Sequence, residues 1–109
     1  MIVICNDKHL ASEITLADTF YKRLKGLLGK SSINAQEGLL LKNCSSIHCF
    51  FMKFTIDAIY LSKNMTVIEK ETIKPWKTGK MVKNTAHVLE LKEGASQNVK
   101  AGDTLLFVD

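Results

Sequence analysis

The sequence predicts an α+β domain, small and mostly β, in which a curved or barrel-like sheet has one principal helix packed against it. Three observations predict it. Short apolar runs separated by turn chemistry recur from Ile2 to Val108, as in a domain built mainly of strands. One segment, 15–28, changes period, placing Leu16, Phe20, Leu24, Leu27 and Leu28 on a single helical face. A chain of 109 residues that is 46% hydrophobic and 24% charged is expected to form one domain, 1–109, around one core.

Residues 2–5 read as a first strand, Asn6-Asp7-Lys8 as a turn, and 10–14 as the returning strand. The helix expected over 15–28 has Thr15 as N-cap, Asp18 in its first turn, cations late, and Gly29 as its stop. Residues 31–37 read as a loop. Leu39-Leu40-Leu41, cut short by Lys42-Asn43, is a strand rather than a second helix. In the next run His48, Phe50, Met52 and Phe54 share one parity, and Cys49, Phe51, Lys53 and Thr55 the other. Residues 58–61 and 66–68 flank a hairpin turn at Lys63-Asn64. A loop follows over 74–84, and 86–91 and 104–108 are the last strands. The expected core is Phe20, Leu24 and Leu28 from the helix with Leu39, Leu41, Phe50, Met52, Ile59, Leu61, Val67, Leu89 and Leu106 from the strands.

The net charge of +4 arises from fourteen lysines and a single arginine set against eleven acids. Lysine is a point charge, whereas planar recognition of bases or phosphate draws on arginine, so nucleic acid is not the expected partner. The start of the chain lacks a basic segment followed by a long apolar run, so neither a signal peptide nor a membrane span is expected; the protein is read as cytoplasmic. Three cysteines, at 5, 44 and 49, argue against a disulfide framework.

Several motifs, in order and at compatible spacing, give the chain a resemblance to a known family. They are Arg23-Leu24-Lys25-Gly26-Leu27-Leu28 at the expected helix end, Glu37-Gly38-Leu39-Leu40, Ile47-His48-Cys49 leading to Met52 and Ile56-Asp57, Val88-Leu89-Glu90-Leu91 with Gly94, and Gly102-Asp103. From about residue 15 to 108 the chain resembles the DUF192, or UPF0127, family of uncharacterised bacterial and archaeal proteins. Two departures stand out: Cys49 replaces a common threonine, and Phe51-Met52-Lys53-Phe54 replaces a Trp-Met-Lys-Asn. The resemblance implies a compact, mostly β domain with a helix on it and implies no activity. The pattern from Val99 to Leu105 also resembles the turn of cradle-loop barrels.

Residues 44–61 are the chemically densest stretch. Cys44, His48 and Cys49 are metal-ligand types, yet without a Cys-x-x-Cys pair, and with residues 48 and 49 on opposite faces, the expected metal and cofactor content is none. Cys49 as a nucleophile would need an imidazole or cation to lower its pKa, and the family's threonine at that position argues against a thiol reaction. The favoured reading is a ligand pocket formed by His48, Lys53, Asp57 and Glu90, weighed against a role for the same groups in holding the fold. For Asp57 the sequence predicts a bend or turn at 54–56 that brings its carboxylate to the rim of a site, where Lys53 or backbone N–H groups hold it. Lys74, Trp76, Lys77, Lys80 and Lys83 form a secondary, polyanion-type candidate, though such a charge run is more often a solvated face. The function expected is a non-enzymatic binding or accessory module for a small molecule or extended peptide. The alternatives are a hydrolase-like enzyme using the His48/Asp57 region and a weak RNA binder using loop 74–83.

Overall fold

The computed structural model describes residues 1–46 and 52–109, the side chains of Phe20, Tyr21 and Leu24 excepted. Eight strands and one short helix follow in the order β1 (Ile2–Cys5), β2 (Lys8–Ala11), β3 (Glu13–Ala17), α1 (Phe20–Lys25), β4 (Glu37–Lys42), β5 (Ile56–Leu61), β6 (Val67–Ile73), β7 (His87–Lys92) and β8 (Leu105–Val108). They form two sheets. One has three strands in the order β2-β1-β8, the other five in the order β3-β4-β7-β5-β6.

The expectation of an α+β domain with a principal helix is overturned. Residues 13–17 are a strand, paired in parallel with β4 from Glu13 opposite Glu37 to Ala17 opposite Leu41. The helix is confined to six residues and starts at the Thr19 cap, whose hydroxyl accepts the Lys22 N–H at 3.1 Å, rather than at Thr15. Leu16 fits both a helical face and an alternating strand; the backbone hydrogen bonds offered by β4 decide for the strand over local propensity. Gly26, not the expected Gly29, ends the helix at φ +49°, a region that disfavours other residues, and its N–H donates to the Lys22 carbonyl. The protein is almost all β, and its two sheets do not close into one barrel.

The five-stranded sheet is covered on both sides, which explains why every residue of β5 is buried. Ile14, Leu40, Ile59, Leu61, Leu89 and Leu91 face the three-stranded sheet, where Val3, Ala11 and Leu105 meet them. Leu39, Leu41, Ile56, Ala58, Tyr60 and Val88 face the other way, under Leu27, Ile33 and Met52. The sheets are joined through Val67 N–H to Asp103 O (2.7 Å) and Leu105 N–H to Met65 O (2.9 Å), and again where Ile14 N–H donates to Met1 O (2.8 Å) and the Met1 amino group to Ile14 O (3.0 Å).

Of the expected core, Leu39, Leu41, Met52, Ile59, Leu61, Val67 and Leu89 are buried and Leu28 packs at the margin. Phe50 and the side chains of Phe20 and Leu24 lie outside what is described. Leu106 is a correction: it is 57% exposed, because Leu105 and Phe107 take the inward parity of β8. The hairpin at Lys63-Asn64 forms, with Met65 at φ +66° and the Met65 N–H on Ser62 O at 3.0 Å.

Candidate functional site

Strand β7 is the middle strand of the five-stranded sheet, and Glu90 stands near its centre, between Leu39 of β4 and Ala58 of β5. Its parity is that of Val88, so the carboxyl points into the apolar layer beneath α1. It is 5% exposed, and no described residue gives it a hydrogen bond or ion pair. A carboxylate in such a place is costly to ionise. Burial accordingly pushes the Glu90 carboxyl up to about 7.

A cavity of about 90 Å³ opens beside it. Leu27, Leu28, Leu41 and Met52 form apolar walls; Arg23, Lys25, Cys44, Ser46 and Glu90 bring the polar groups. Arg23 is half-buried and oriented by its Nη1 donating to Lys42 O at 3.1 Å. The Cys44 Sγ donates to Ser46 O at 3.0 Å. Burial raises the Cys44 thiol and the Glu90 charge adds to this, outweighing Arg23, which acts the other way. Cys44 is therefore held as a thiol, a poor nucleophile. The cavity can offer a neutral carboxyl as donor, a guanidinium and an apolar wall, which suits binding better than covalent chemistry.

The titration of Glu90 carries a stability prediction. Its pKa is higher folded than the 4.5 of an exposed glutamate, so between about 4.5 and 7 the folded chain binds more protons than the unfolded one. Stability falls as the pH rises through that window and is level above it. Against Glu90→Gln, the parent's urea-unfolding free energy is expected to drop by on the order of 2 to 3 kcal/mol from pH 4.5 to 8. Parallel curves for the two proteins would place the carboxyl in water.

Of the residues expected to share one pocket, Asp57 and Glu90 are set on opposite faces of the sheet. Asp57 pairs with Leu91 and points to the sheet face opposite Glu90. It is 3% exposed and accepts from Thr72 Oγ1 (3.1 Å), Gly94 N–H (3.1 Å), Ser96 N–H (3.1 Å) and Ser96 Oγ (2.5 Å). The chain does bend at Phe54, and the Gly94 and Ser96 N–H groups hold the carboxylate within the fold. Lys53 is exposed before β5, and His48 lies outside the described residues, as does Cys49. His87 accepts the Asn43 N–H on Nδ1 at 3.0 Å, and burial followed by the Lys42 charge lowers its pKa, so it joins β4 to β7 as a neutral ring.

Lys74, Lys77, Lys80 and Lys83 are all exposed, beside Trp76 at 58% and Met81 at 84% exposure. The loop is tied down by Glu71, which accepts Tyr60 Oη at 2.5 Å and Lys80 N–H at 2.6 Å; Lys80 also pairs with Glu69 at 3.8 Å. Among the described residues no three His, Cys, Asp or Glu side chains converge as a metal site, and no helix is long and apolar enough to cross a membrane.

Glu90 was legible in the sequence as an acid in an apolar run. Arg23, Cys44, Leu41 and Met52 were not legible as its neighbours, although Arg23 is the only arginine among fifteen cations and opens the Arg-x-x-Gly motif.

The comparisons agree with this fold. The chain matches the family DUF192, described as an uncharacterised ACR, over residues 2–107. It is 31% identical over 104 residues to a UPF0127 protein of Pyrococcus horikoshii, covering 91% of this chain and 90% of that one. It is 31% identical over 99 residues to a UPF0127 protein of Thermococcus kodakarensis, covering 85% of this chain and 63% of that longer relative. A crystal structure of a protein of unknown function from Novosphingobium aromaticivorans superposes with a TM-score of 0.86 at 18% identity, covering 98% of this chain and 84% of the other. At that identity the likeness concerns the fold alone.

Proposed function

The chain belongs to the DUF192 family of uncharacterised proteins, and on that footing we propose that it is a binding module that takes part of a small ligand into the cavity at Glu90. One observation carries the reading: a buried carboxyl on the central strand, with no partner among the described residues, lines a cavity rather than packed apolar side chains. Among the described residues no fully buried side-chain polar atom lacks a hydrogen bond, so the Glu90 oxygens are reached from the cavity, where a ligand can hydrogen-bond them. The walls are mostly apolar with a few convergent polar groups, the usual make-up of a ligand site. The Cys44 thiol, raised above its ordinary value, supports a binding reading over thiolate chemistry.

Met52 supplies the test. It lines the cavity, whereas Met1 and Met65 pack on the other face and Met81 is exposed. In a ¹³C-methyl-methionine sample screened against small fragments at pH 6, binders are expected to move the Met52 signal and leave Met65 and Met81 in place. Glu90→Leu, which removes the polar group while retaining bulk, is expected to abolish those shifts. Fragments that move Met52 equally in parent and Glu90→Leu would show that Glu90 is not part of the site.

A further inference from the structure

We infer that the ligand taken at this cavity is a small aliphatic carboxylate, its hydrocarbon part against Leu27, Leu41 and Met52 and its carboxylate between Arg23 and the Glu90 carboxyl. The inference rests on the binding reading above and deepens it to a chemical class.

Charge complementarity is the first argument. From α1 the charged groups facing the cavity are Arg23 and Lys25; from the segment after β4 there is the Cys44 thiol, held neutral; β4 and β5 set only Leu39 and Ala58 directly beside Glu90. Among the described residues Glu90 is thus the sole acid of the lining against two cations, so with Glu90 protonated these groups carry net positive charge. Arg23 is the second argument. Its bond to Lys42 O commits only part of the guanidinium, and the remainder of a planar fork suits the two oxygens of a carboxylate better than a point charge would. Size is the third. About 90 Å³ admits a chain of a few carbons and excludes a nucleotide or a sugar phosphate.

Proton linkage gives the inference a signature. A carboxylate beside Glu90 is tolerated when Glu90 is protonated and repelled when it is ionised, since like charges sharing a site raise each other's pKa. Burial alone already places the Glu90 titration near 7. A bound anion moves it further up, so binding is strongest below neutrality and weakens as the pH rises.

The experiment follows the Met52 methyl signal while sodium butyrate, butyramide and n-butylammonium chloride are titrated in turn at pH 6 and pH 8, with sodium chloride as the ionic-strength control. A short peptide ending in a free valine carboxylate is run beside its C-terminal amide, separating a free acid from a chain terminus as the source of the same chemistry. Butyrate is expected to bind about tenfold tighter than butyramide at pH 6, and to lose about tenfold between pH 6 and 8. Arg23→Gln is expected to remove the preference for acid over amide, and Arg23→Lys to restore it only in part. Equal or tighter binding of the amide or the ammonium compound overturns the carboxylate assignment while leaving the binding module intact. Failure of every probe to move Met52, while Met52 remains in a folded environment, overturns both.

Discussion

Replacing Gly38 with alanine is expected to cost about 3 to 5 kcal/mol and to lower the melting temperature by well over 10 °C. Gly38 lies in β4 between Ile14 of β3 and Leu91 of β7. A Cβ there would stand 2.7 Å from Leu91 Cδ2, 2.8 Å from the Glu90 carbonyl oxygen and 2.8 Å from Ile14 Cδ1. Two of these are side-chain ends that can shift, but the third is backbone of the central strand and cannot move without breaking the β4–β7 ladder. The glycine of the Glu-Gly-Leu-Leu motif is thus a packing requirement, set by the approach of three strands. Chemical denaturation of Gly38→Ala decides it. A loss below 1 kcal/mol would mean that the strands stand further apart than described. Because the Glu90 carbonyl is one of the three contacts, the variant should also disturb the Met52 methyl signal.

Substitution of Asp57 ranks beside it. Asp57→Ala removes an acceptor that holds Gly94 N–H, both donors of Ser96 and the Thr72 hydroxyl, leaving buried donors unpaired, at an expected loss of about 3 to 5 kcal/mol. Asp57→Asn keeps the shape but sets an NH₂ against donors that already point at the oxygens, and about 2 to 4 kcal/mol should be lost. Amide exchange supplies the second readout, with Gly94 and Ser96 losing protection before the rest of β7. Since Asp57 and Glu90 face opposite sides of the sheet, the folded fraction of Asp57→Asn should retain the parent response of Met52 to the cavity probes. Unchanged stability together with lost binding would make Asp57 a ligand contact and not a brace for the 93–97 turn.

The candidate site was legible in part. An acid embedded in Val88-Leu89-Glu90-Leu91 and another in Ile56-Asp57-Ala58 are visible as anomalies, because alternation assigns each strand residue a side and an acid among apolar neighbours demands a reason. Alternation within one strand cannot say whether two acids on different strands share a side. That depends on register, and here Ala58, not Asp57, stands opposite Glu90. Leu106 carries the same lesson: Leu105, Leu106 and Phe107 are all apolar, so the pattern of β8 has no preferred parity until Ile4 and Cys5 of β1 are set beside it.

The sequence by itself determined what short-range chemistry fixes: most strands, the Ser62–Thr66 turn, and the presence of acids among apolar strand residues. Tertiary structure alone decided the rest. Residues 13–17 became a strand because β4 lay ready to accept their hydrogen bonds, and that shortened the helix to six residues. Sheet pairing also sent Asp57 to hydrogen-bonding partners on one side and Glu90 to an apolar cavity on the other. The reason is that a strand's backbone hydrogen bonds are made with distant segments, whereas a helix makes its own. Local sequence therefore carries a helix's signal but only half of a strand's.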